Sequence, residues 1–188
     1  MRRLALVAAL VLGVAGSAKA QIGREHFTTP DTALDAVHAP QQQAFLLLRD
    51  STSSISAAGA RLMSDMSPSS SLAWMQARAR AVVAACGNSV GPLANAQVVT
   101  EQGDWPLKNQ QKAQADLLKE MSSFAGTLTD CQTRWTALAA DTSTVSFRES
   151  APYEMKKLQD KLEKFNRSAQ TYLRYISVKL PPKGTPTP

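Results

Sequence analysis

Apolar residues recur along most of this chain at alternating steps of three and four, and the step-of-two alternation of a half-buried strand is absent. The pattern predicts an all-α protein, an elongated antiparallel four-helix bundle with a short helical segment before it and a mobile proline-rich tail after it. The first long helix is expected to begin near Gln41 and to turn Phe45, Leu48, Ile55, Leu62 and Met66 inward, with Thr52 and Gly59 at intervening seam positions. Ser67-Pro68 should end it, because proline lacks the amide a helix interior needs and suits the first turn of the next helix. The second helix places Leu72, Met75, Ala79, Val82, Cys86 and Leu93 on one face, with a bend expected at Gly91-Pro92.

The third helix shows the strongest periodicity. It is expected to open at Asp104, as a cap ahead of Trp105-Pro106, and to run Leu117, Met121, Phe124, Leu128, Cys131, Trp135, Leu138 along its seam. The fourth is expected from Ser150, with Pro152 in its first turn, and carries Met155, Leu158, Leu162, Phe165, Ala169, Tyr172 and Ile176 to a stop at Pro181-Pro182. Seams that repeat every seven residues favour a gentle left-handed supercoil. Helices of this length are about 45 Å long at the standard rise, so the bundle should be a rod. The bundle domain is thus read as residues 41–180. Ahead of it, residues 21–40 contain one short helical candidate, Asp31–Ala39, whose Leu34 and Val37 could cover Phe45-Leu46-Leu47-Leu48. Four consecutive apolar residues cover most of a helix circumference, so that patch needs a cover: this segment, a second copy of the chain, or another partner. Residues 181–188 are read as an extended mobile tail.

The first twenty residues do not belong to this periodic pattern. Arg2 and Arg3 precede an apolar run from Leu4 to Ala15, too short to span a bilayer, and Ala18-Lys19-Ala20 supplies small residues where signal peptidase requires them. Residues 1–20 are therefore read as a cleavable leader, and the mature chain as periplasmic or secreted, with no integral membrane span. Position 21 is glutamine and not cysteine, which argues against lipid anchoring. Cleavage removes Arg2, Arg3 and Lys19 and no acid, so the formal net charge falls from +6 to +3. A domain so mildly basic is not a nucleic-acid binder by composition.

The two cysteines, Cys86 and Cys131, lie on the seams of consecutive helices, and an oxidising compartment favours their pairing. Register is the obstacle, since Cys86 lies nearer the connecting turn than Cys131. The mismatch of about 14 Å closes if residues 102–106 run extended beyond the end of the second helix.

Candidate chemistry is sparse. The two histidines, His26 and His38, both precede the expected bundle, so haem ligation or a Glu-x-x-His di-iron site has no donors at core positions. Serine is abundant without a histidine or lysine placed to activate it, and no cofactor is expected. Asp116 and Glu120 lie one turn apart, but Lys112 and Lys119 beside them favour a solvated charged face. Met63, Met66 and Met75 could offer thioethers to Cu(I), although methionine on a seam is ordinarily a gap filler. The fourth helix carries Lys156, Lys157, Lys161, Lys164, Arg167 and Arg174, a cationic face interleaved with acids at helical spacing. Trp74 and Trp105 fall off the seams, where they could cap helix ends or anchor a partner. These features favour a non-enzymatic exported bundle that binds a protein or other envelope component, adaptor- or chaperone-like. Phe45, Leu46, Leu47, Lys157, Lys161, Lys164 and Arg167 are the candidate contacts. The alternative is a carrier of copper or a small ligand inside the bundle.

Overall fold

The computed structural model describes the backbone of residues 32–176 and the side chains of residues 38–176. The expected leader, the first residues after it and the proline-rich tail lie outside these limits. Five helices follow one another: α1 Thr32–Asp65, α2 Leu72–Asn88, α3 Val90–Glu101, α4 Lys108–Ala139 and α5 Thr144–Tyr175. Because α2 and α3 form one broken rod, the fold is a four-rod all-α bundle, without strands among the described residues.

Cross-links between helices establish the packing order. Gln41 on α1 donates to the Val99 carbonyl on α3 (3.3 Å), and Gln76 at the start of α2 donates to the Asp141 carbonyl after α4 (2.8 Å). Gln110 at the start of α4 donates to the Tyr175 carbonyl at the end of α5 (3.1 Å), and Phe45 of α1 packs on Tyr172 of α5. Each rod is thus antiparallel to its neighbours in the cyclic order α1, α2–α3, α4, α5. The seam positions form the core: Leu48, Ile55, Leu62, Met75, Val82, Cys86, Leu117, Met121, Leu128, Trp135, Met155 and Tyr172 are all buried. Phe124 and Phe165 stack across α4 and α5 with centroids 4.5 Å apart.

Several helix ends differ from expectation. A proline removes the hydrogen bond to the carbonyl four residues earlier. Pro92 would need Asn88, where α2 stops, so the break precedes Gly91-Pro92 and does not fall on it. Pro68 lies in the α1–α2 turn, not in a helical first turn, and α2 starts behind Ser71, whose hydroxyl accepts from the Trp74 amide (3.2 Å). Asp104 does not cap α4, which begins at Lys108. Ser143, not Ser150, caps α5, and Pro152 lies inside that helix. Pro40 likewise lies inside α1, so the segment expected as a separate helix over 31–39 continues α1 and does not fold back on residues 45–48.

The bundle ends are closed by specific contacts. At one end the Arg148 guanidinium donates to the carbonyls of Ser67, Pro68 and Ser70 (3.1, 2.7 and 3.1 Å), tying α5 to the α1–α2 turn. At the other end Gln114 of α4 donates to the carbonyls of Thr100 and Gly103 (2.6 and 2.7 Å). Gln114 lies six residues into α4 yet is level with the end of α3. Residues 102–107 and the first turns of α4 therefore project past α3, and this offset brings Cys86 and Cys131 into register.

Candidate docking surface

Cys86 and Cys131 form a disulfide with their Cα atoms 6.4 Å apart, joining the C-terminal end of α2 to α4. Beside it, α4 and α5 are joined by opposite charges: Arg134 with Glu154 (3.0 Å) and Lys164 with Glu120 (2.8 Å). The expected cationic face of α5 is therefore partly committed inside the molecule. Lys157 and Lys161 border a cleft of about 50 Å³ with Asp130, Arg134 and Glu154, of which Glu154 is already paired with Arg134. Such a volume holds a few waters at most. Arg167 lines a wider groove of about 400 Å³ near Lys112 and Asp116.

The Phe45–Leu48 run is divided by the helix. Phe45 and Leu48 are buried, Leu46 is half-buried, and Leu47 alone is exposed, at 51%. Phe45 thus belongs to the core seam and is unavailable to a partner, a correction to its place in the candidate patch. The methionines do not form an open thioether site: Met75 is fully buried, and Met63 and Met66 pack against the core. His38 is also placed differently from expectation, lying buried on α1 with its ring 5.7 Å from that of Trp105.

Trp105 is not an exposed anchor. Its indole donates to the Tyr172 hydroxyl (3.2 Å), and its own carbonyl accepts from Gln111 (2.8 Å), so the α3–α4 loop is folded over the bundle end. Burial pushes the Tyr172 phenol up to about 12, with the Trp105 hydrogen bond acting in the opposite direction. Among the described residues no group of three or more histidine, cysteine, aspartate or glutamate side chains is placed to hold a metal. No helix among them is long and apolar enough to cross a membrane.

The surface that periodicity alone did not single out is the outer side of α2–α3. Residues 66–100 contain no acid, and their only charges are Arg78 and Arg80. Ala77, Ala84, Gly91, Ala94 and Val98 project outward there, with Val90 and Val98 each 48% exposed. An alanine-lined valley of about 380 Å³ between α1 and α2 widens this surface, with Arg61 and Arg78 on its rim. The outer sides of α4 and α5 carry Lys112, Lys119, Asp130, Lys156, Asp160 and Glu163, with Val145 and Tyr153 of α5 exposed among them. Gly91 is also exposed on this side, in the first turn of α3 directly ahead of Pro92, where the lack of a Cβ avoids a clash with the proline ring. The missing signal in the sequence was the acid-free interval, which periodicity does not weigh.

No known protein family, no characterised protein and no solved structure matches this chain.

Proposed function

We propose that this protein is an exported, non-enzymatic helical bundle that binds another protein through the outer side of α2–α3, as an adaptor- or chaperone-like factor. The observation that carries this reading is the contrast between the acid-free, alanine- and valine-lined α2–α3 side and the mixed charge of α4 and α5. A water-facing helix gains nothing from exposed valine, whereas a helix that another backbone approaches needs small uncharged side chains. Export is supported by the leader-like first twenty residues and by the Cys86–Cys131 disulfide, since such bonds persist in oxidising compartments.

Site-specific photo-crosslinking in the native host tests it. A photoreactive residue at Ala84 or Val98 should give a discrete adduct, and one at Asp160 should not. Absence of an adduct from either α2–α3 position, with the protein folded and correctly located, contradicts the reading.

A further inference from the structure

The outward residues of α2–α3 follow a second heptad, back to back with the core seam. Ala73, Ala77, Arg80 and Ala84 on α2 continue as Gly91, Ala94, Val98 and Glu101 on α3, in steps of three, four and seven, and every one of them is exposed. A four-helix bundle needs one such seam per helix, facing inward. A second one, facing out, fits a second helix.

The arrangement of charge selects which helix. The stripe is cationic at one end, through Arg80, and carries its single acid, Glu101, at the other. An antiparallel pairing about a two-fold axis near Ser89 sets residue i opposite residue 178 − i. Gly91 then faces Gly87, Ala84 faces Ala94, and Arg80 faces Val98. Glu101 falls level with Ala77, three residues from Arg80. Its carboxylate comes within reach of the Arg80 guanidinium of the other copy, twice over by symmetry. Within one copy Arg80 makes no ion pair among the described residues, and Arg78 leans on the Trp74 ring at 5.3 Å. Gly91 lies next to the axis, where two backbones would approach most closely.

We infer that the occupant of the α2–α3 surface is a second copy of this chain, packed antiparallel about Ser89 with Arg80 of each copy against Glu101 of the other. The inference rests on the docking role assigned to this surface and names its partner. The α2–α3 rod is about 45 Å long at the standard rise, and a helix pair of that length buries on the order of 1,000 Å² in total. That lies at the low end for specific interfaces, so the dimer should be reversible.

Sedimentation equilibrium of the purified protein from low micromolar to several hundred micromolar reads the association directly. The wild type should pass from monomer to dimer, and Val98→Lys should weaken association at least tenfold while leaving the circular-dichroism melt unchanged. Glu101→Arg alone should weaken it, and Glu101→Arg combined with Arg80→Glu should restore it. A wild type that stays monomeric throughout overturns the inference, as does a dimer indifferent to Val98→Lys. The photo-crosslink at Val98 separates this failure from that of the docking role. A homodimeric adduct supports the second copy and the use of this side as an interface while counting against its binding a different protein, an adduct with a different protein overturns only the second copy, and no adduct overturns both.

Discussion

Tyr172, Trp105 and Leu162 show how much single side chains hold in this fold. The Tyr172 hydroxyl is the acceptor for a buried indole, so Tyr172→Phe strands a donor without creating much cavity and should cost about 1–3 kcal/mol in urea denaturation. Since burial favours the neutral phenol, its stabilising effect is complete below the unfolded value of 10.0 and is lost as pH rises through about 12. Absorbance titration at 295 nm should show one of the three tyrosines ionising near pH 12, a step missing from Tyr172→Phe. Asp141 has the opposite sign: the Ser143 amide and then the Ser146 hydroxyl lower its pKa, so its contribution is present above the ordinary carboxylate range and fades as pH falls through the folded value. Leu162 is 3% exposed and Lys161 beside it is exposed. Leu162→Asp should therefore cost several kcal/mol, and Lys161→Asp less than about 1 kcal/mol, by thermal melting. Equal losses would mean that α5 is rotated from the orientation described.

At the scale of the helices, the core faces were legible from the sequence and the ends were not. Periodicity reports which side of a helix leaves water, and from Leu117 to Leu138 on α4 every expected seam residue is buried. Helix ends depend on local competition that a proline alone does not decide. Pro68 and Pro92 do accompany breaks, whereas Pro40 and Pro152 lie inside α1 and α5, whose packing on both sides outweighs one missing hydrogen bond. Pro152 is exposed, so Pro152→Ala restores the amide donor to the Arg148 carbonyl without opening a cavity. It should raise stability by about 1–2 kcal/mol, read as an upward shift in Tm. Gly59 belongs to the opposite class, because a Cβ there collides with the Met155 thioether where α1 meets α5. Gly59→Ala should accordingly lower Tm, and an unchanged Tm would show that Met155 has room to move aside.

For the whole molecule, the disulfide links register to stability. Pairing Cys86 with Cys131 requires α4 to overshoot α3, and the Gln114 contacts with Thr100 and Gly103 show that overshoot. The bond closes a 45-residue loop and should contribute about 4 kcal/mol by chain entropy, measurable against the Cys86→Ala, Cys131→Ala double variant. The pairing was legible in the sequence because both cysteines lie on seams. The candidate docking side was not, because reading for burial passes over the exposed half of each helix, and Phe45 drew notice only as part of an apolar run. The central claim is that the outer side of α2–α3 is covered when the protein works. Carbene footprinting tests this most directly, by comparing protein labelled in its native compartment with the same protein purified and dilute. Val90 and Val98 should be protected in the first sample and labelled in the second, while Lys156 and Asp160 on α5 label equally in both. Equal labelling of Val98 in the two samples would contradict the account.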